Sequence, residues 1–157
     1  MVDAQSGHEK TLTGLLPALA GANLIYGSGM LESGMTIDYG QLVLDHEFAR
    51  FIKQSVAGIP VSDETLMVEE IKKVGAFGDF LSLDSTMKFM RGQSQPKFID
   101  RRVRDEWTAA GSTDVYRRAL DEARRILAEH RPLPLPDGAA DELRRIVDEG
   151  ERELATD

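Results

Sequence analysis

The sequence predicts a helix-rich α/β fold, and three observations carry that reading. First, the residues from Ala20 to Thr36 pass from small helix-ending residues through a short apolar stretch, Asn23–Tyr26. They then enter a loop holding Gly27, Gly29, Gly34 and one carboxylate, Glu32. This is the anatomy of a βα-loop at the C-terminal mouth of a parallel sheet or barrel, where such folds keep their chemistry. Second, Phe77–Ser82 reads as another short strand, after two amphipathic helices. Third, everything beyond Gly92 reads as loop and helix. Two short parallel strands cannot close a barrel, and they leave sheet edges uncovered. The sequence therefore reads as the end of a larger α/β protein, incomplete as a barrel on its own.

The elements follow in order. Asp3 can cap a first helix running to about Ala20, with Pro17 expected to kink it or end its regular part. Asn23–Tyr26 is the first strand. Asp38 can cap a second helix with apolar positions at Leu42, Leu44, Phe48, Phe51, Ile52 and Val56, and Gly58 ends it. Ser62 or Asp63 caps a third, with Leu66, Met67, Ile71 and Val74 inward and Gly75 at its end. Its acids come first and Lys72 and Lys73 last, which suits the helix dipole. A short helix covers Ser85–Met90. Ser112 caps a long amphipathic helix to about His130, expected to pack by Val115, Leu120 and Leu127. Residues 131–136 form an extended proline linker, and a last helix covers about Ala139–Leu154.

Composition narrows the function classes. The chain has 157 residues, 41% hydrophobic and 29% charged, enough for one real core. It has no cysteine, which excludes disulfides, thiol catalysis and thiolate metal sites. A formal net charge of −8 argues against nucleic acid as a main partner. No apolar run is long enough to span a bilayer. Met1–Gln5 does not read as a signal peptide, so a cytoplasmic protein is expected. The glycine loop lacks both the dinucleotide spacing and a P-loop lysine. The three histidines show no metal-ligand spacing, so no metal is expected. Ser28 and Ser33 flank no His–Asp pair, which leaves a nucleophilic triad unsupported.

Four blocks together resemble one family. They are Asp3-Ala4-Gln5-Ser6-Gly7-His8-Glu9-Lys10, the stretch from Gly21 to Gly34, Gln41-Leu42-Val43-Leu44-Asp45, and Asp100-Arg101-Arg102-Val103-Arg104-Asp105-Glu106-Trp107. In order and spacing they are similar to the C-terminal part of the trimethylamine methyltransferase family, over nearly the whole chain. The resemblance implies the C-terminal portion of a (β/α)8 TIM barrel. Residues 1–98 would be its last βα units, 99–131 a helical extension, and 132–157 the proline linker and terminal helix. It implies methyl transfer from trimethylamine, or a related quaternary amine such as glycine betaine, to a corrinoid protein, as part of methylamine metabolism. The corrinoid (cobalamin) would be carried by that cognate partner, with no cofactor bound directly here. The other partner implied is the upstream N-terminal portion of the same enzyme. Homo-oligomerisation is left open. The family's trimethylamine enzymes contain pyrrolysine, encoded by an in-frame amber codon, at a site expected just upstream of the Asp3–Lys10 block. The alternative is a non-catalytic α/β interaction subunit, or a relic of such an enzyme.

Candidate site residues follow from chemistry and resemblance together. Glu32, at the barrel mouth, is the candidate catalytic residue: a carboxylate there can attract a quaternary ammonium. Tyr26 can offer a ring face to a cation. His8 can bind a substrate carboxylate or handle a proton, and Asp3 and Gln5 lie beside it as further substrate-binding candidates. Each has an ordinary structural role as the competing reading: loop cap, core aromatic, exposed histidine, helix cap. Lys88 and Arg91 read as a solvated face, and the arginines at 101–104 as surface ion pairs. Apolar faces meant for missing sequence should be exposed, which promotes association.

Overall fold

The structure, a computed structural model, describes residues 2–155. They divide into two bodies, one up to Arg125 and one from Ile126 onward.

In the first body, helix α1 spans Ala4–Leu19. The Asp3 carboxylate accepts the amides of Gln5 and Ser6, and Ser6 closes a reciprocal capping box. The helix runs through Pro17 for two more residues, and Gly21 then turns the chain at φ +86°. The expected strand Asn23–Tyr26 does not form. These residues are exposed and irregular, and among the described residues their backbone makes no hydrogen bond. A strand exists only where a neighbour takes its amides and carbonyls, and no segment lies alongside.

The observed sheet is smaller and lies further on. Strands β1 (Met30–Leu31) and β2 (Thr36–Ile37) pair antiparallel, Met30 opposite Ile37 and Leu31 opposite Thr36. The turn between them needs left-handed backbone at Glu32 (φ +53°) and Ser33 (φ +55°).

Helix α2, Tyr39–Ala57, is the centre of the body. Asp38 caps it by accepting the Gln41 amide at 2.6 Å, and Gly58 ends it, as the sequence predicts. Its helical period separates two inward faces. Gln41, Asp45, Phe48 and Ile52 look toward α1 and the glycine loop. Gly40, Leu44 and Glu47 look toward the core of Leu44, Phe98 and Ala119. Gly40 is required there, because a Cβ would lie 2.6 Å from the Tyr116 ring. That approach lets Tyr116 donate to the Asp38 carboxylate at 2.8 Å.

Glu47 is only 2% exposed, yet it carries a carboxylate. Its oxygens accept the backbone amides of Lys97, Phe98 and Ile99 at 2.7–3.1 Å. Three amides in a row replace the water it lost on burial. The result is a clasp that holds the chain beside Phe98 against α2.

From residue 58 to 92 nothing is buried. The expected third helix is broken into α3 (Asp63–Leu66) and α4 (Val68–Val74) by Met67 at φ +52°. Its apolar face does not turn inward: Leu66 and Ile71 are exposed. Phe77–Ser82 is likewise not a strand, with Phe77 at φ +64° and fully exposed. Helix α5 spans Asp84–Phe89, and α6, Arg104–Ala109, forms where the sequence suggested only a charged stretch.

Helix α7 spans Val115–Glu129. Asp114 accepts the Arg117 amide at 2.7 Å and replaces the expected cap Ser112, which sits at φ +52°. Ala119 and Ala123 are its buried positions; of the expected face, Val115 packs against the core and Leu120 is partly buried, whereas Leu127 is exposed, so that face holds along the first turns and not at the end. Ala119 lets the helix approach Leu44 and Phe98 closely, with Val115 and Tyr116 packed beside it. The second body holds the end of α7, the extended proline segment and α8, Ala139–Leu154.

Glu47→Ala should cost about 3 kcal/mol or more in urea unfolding, because it leaves buried amides without acceptors. A cost below about 1 kcal/mol would show the clasp to be solvated. A second expectation concerns Glu122, whose pKa is held down to about 2 by hydrogen bonds from Arg125 and Lys97. A depressed carboxylate contributes stability above its unfolded pKa and loses it as pH falls through its folded one. Carboxyl NMR should therefore show Glu122 ionised through pH 4, with its Lys97 pairing lost only as pH approaches 2.

Candidate functional site

A concavity of about 720 Å3 lies between α1, α2 and the glycine loop. Its floor is apolar: Gly14 and Ala18 from α1, and Phe48, Ile52 and Val56 from α2. Gly14 leaves room for Ile52 of α2, since a Cβ there would lie 2.7 Å from Ile52 Cδ1. The loop supplies the lip, from Ile25 through Gly34.

One buried carboxylate holds this site together. Asp45 is 7% exposed. Its Oδ2 accepts the Gly29 amide at 2.8 Å and lies 3.2 Å from Lys10 Nζ. Its Oδ1 accepts the Gln41 side-chain amide at 2.6 Å. Lys10 also donates to the Gly27 carbonyl at 2.5 Å. The pair thus grips the loop twice, at Gly27 and at Gly29, and anchors it to both helices. Gly29 must be glycine for this: it is buried, has φ +75°, and a Cβ would lie 3.0 Å from Leu42 Cβ.

Of the predicted site residues, the structure brings Glu32 and Tyr26 to the lip of this cleft. Glu32 is exposed, and its Oε2 accepts the Thr36 hydroxyl at 2.8 Å. The other oxygen has no protein partner among the described residues. Tyr26 is 83% exposed, so its ring is not a core element. Asp3, Gln5 and His8 are not brought to the cleft. The Asp3 carboxylate accepts the amides that begin α1, and the Gln5 side chain donates to Glu9 at 2.9 Å. His8 is exposed on α1, while the cleft side of that helix carries Ser6, Lys10 and Thr13. Lys88 pairs with Glu64 on the surface. His46 and His130 are exposed. Among the described residues no group of three His, Asp or Glu side chains is placed to hold a metal.

Sequence reasoning assigned no role to Lys10 or Asp45. Both lie in blocks already singled out, and one signal was available: an acid four residues after Gln41, on the apolar side of a helix. Such an acid is buried only when it has donors to meet.

The arrangement defines a class before it defines a protein: a glycine loop clamped over an apolar cleft, presenting an exposed carboxylate and an aromatic ring at its edge. Comparison with known proteins supplies the family. The family model described as "Trimethylamine methyltransferase (MTTB)" matches residues 1–155. The chain belongs to that family. It is 56% identical over 151 residues to the trimethylamine methyltransferase MttB of Desulfitobacterium hafniense (strain DSM 10664 / DCB-2), covering 96% of this chain and 30% of that protein. It is 47% identical over 150 residues to MttB2 of Methanosarcina mazei, with the same two coverages. It is 30% identical over 136 residues to the glycine betaine methyltransferase of Desulfitobacterium hafniense (strain Y51), covering 85% of this chain and 28% of that protein. The chain therefore spans about a third of the length of the curated relatives it matches. Among the described residues no helix is long and apolar enough to cross a membrane.

Asp45→Asn keeps the shape of the clamp and removes its charge. Hydrogen exchange at the Gly29 amide should then accelerate about tenfold or more, since one lost charge-assisted bond is worth about 1.5–3 kcal/mol. Unchanged exchange would mean that the loop is held by its own turn alone.

Proposed function

We propose that this chain is the C-terminal segment of a methyltransferase that moves a methyl group from trimethylamine, or a related quaternary amine such as glycine betaine, to a corrinoid protein. The observation that carries the reading is the clamped loop with Glu32 at its lip, in a chain of this family. A carboxylate and an aromatic ring on the lip of one cleft can attract an alkylated ammonium through charge and through the ring face. The apolar floor suits the methyl groups, which have no use for hydrogen-bond donors. The acceptor cobalt is carried by the partner protein and is a substrate here; it supplies the nucleophile for the methyl group. This chain's own part is to position the amine and to balance its charge until the methyl group leaves.

The finer architecture belongs to the same proposal. The segment is read as the last βα units of a (β/α)8 barrel. Leu24, Ile25 and Tyr26 are exposed, and their backbone groups are unpaired among the described residues. That is the state of a barrel strand before its neighbours pair with it. The remaining strands, and the rest of the substrate wall, would come from sequence corresponding to the other two-thirds of the relatives. Asp3, Gln5 and His8 are proposed to reach substrate only in that assembled mouth.

The test uses the protein joined to its upstream portion. Glu32→Gln should lower kcat for methyl transfer to the reduced corrinoid protein by about 100-fold or more, with little change in unfolding midpoint. Unchanged turnover would reduce Glu32 to a loop residue. The upstream DNA gives an independent check: a contiguous frame encoding the earlier strands and interrupted by an amber codon would favour the trimethylamine enzyme, and an unrelated gene there would favour a non-catalytic subunit.

A further inference from the structure

Helix α8 carries an apolar stripe that nothing within the body of residues 126–157 covers. Leu143, Ile146 and Val147 are more than half exposed, and Leu154 is 80% exposed. The helix itself is well made: Arg145 bridges Glu142 and Glu149 on its far side. It follows the extended proline segment, which acts as a semi-rigid spacer. We propose that α8 is a self-association helix, pairing antiparallel with α8 of a second copy of this chain.

The stripe has coiled-coil spacing. Ala140, Val147 and Leu154 fall on one core position of a heptad, and Leu143 and Gly150 on the other. In an antiparallel pair, Leu143 of one copy layers on Leu154 of the other, and Val147 on Gly150. Gly150 leaves open space where its Cβ would be, so the helices can approach closely at the centre. The flanking charges choose the partner and the direction. Arg144 and Glu151 lie on the same edge of the stripe, one heptad apart, and make no ion pair among the described residues. Antiparallel pairing sets Arg144 of each copy against Glu151 of the other, so the same edge complements itself twice. A lipid surface is a poor alternative, because α8 carries six acids against three arginines and anionic headgroups would repel it. The stripe is short compared with a standard interface, so the association should be weak and concentration-dependent.

Sedimentation of the full chain tests this independently of any methyl-transfer activity. Arg144→Glu, or Glu151→Arg, turns two attractions into two repulsions and should raise the dimer dissociation constant about tenfold. The double exchange Arg144→Glu with Glu151→Arg restores opposite charges and should return the constant to within about threefold of the original. Because the chain has no cysteine, disulfide trapping is clean. Mixed Leu143→Cys and Leu154→Cys chains should cross-link to each other and not to themselves. Cross-linking of Leu143→Cys to itself would overturn the antiparallel pairing. A dimer indifferent to the charge reversals, or a chain that stays monomeric because α8 packs elsewhere, would overturn the proposal as a whole.

Discussion

The first body depends on one buried charge, the Asp45 carboxylate. A lone ion in that position would be unstable, since burial strips its water. Here each oxygen is met: Gly29 and Lys10 on one, Gln41 on the other. The contact joins three pieces of chain that are otherwise independent, α1, α2 and the loop between them. It also explains why the segment from Ala20 to Asp38, between two helices, is ordered with so little regular structure. A glycine-rich loop has much conformational entropy to lose. Charge-assisted bonds at Gly27 and Gly29 are strong enough to offset part of that loss.

Helix α2 distributes this order in two directions. One face fixes the loop and the cleft through Asp45. The next face fixes the far chain through Glu47, whose carboxylate gathers the amides beside Phe98. Two buried acids two positions apart on one helix are costly unless each has its own set of donors, and they do not share any. The intervening residues 58–92 take part in neither arrangement. With no buried side chain, they make few contacts of the kind that resist local opening. Apolar residues such as Phe77 and Ile59 are left in water there, and these are surfaces that a larger assembly would cover.

Much of this was legible in the sequence. The limits of α1, α2 and α8 follow from Asp3, Asp38 and Gly58 and from apolar spacing, because capping and amphipathicity are local properties. The glycine loop and its Glu32 were legible for the same reason, and so was family membership, which rests on blocks of residues in order. The short strands were not. Asn23–Tyr26 and Phe77–Ser82 have the composition of buried strands, but a strand is a relation between segments, and no partner segment is alongside. The break at Met67 and the α7 cap at Asp114 were missed because several local solutions compete there at similar cost.

The sequence by itself determined the family, the main helices, and which loop carries the exposed carboxylate Glu32. Only the tertiary structure decided that Lys10 and Asp45 clamp that loop, that Glu47 is buried, and that Tyr26 and Glu32 share a cleft while Asp3, Gln5 and His8 do not. The reason is physical. Helix propensity and capping act over a few residues, within reach of a sequence pattern. The partner of a buried charge is set by which distant groups the packing of α1 against α2 brings within 3 Å, and no spacing along the chain specifies that.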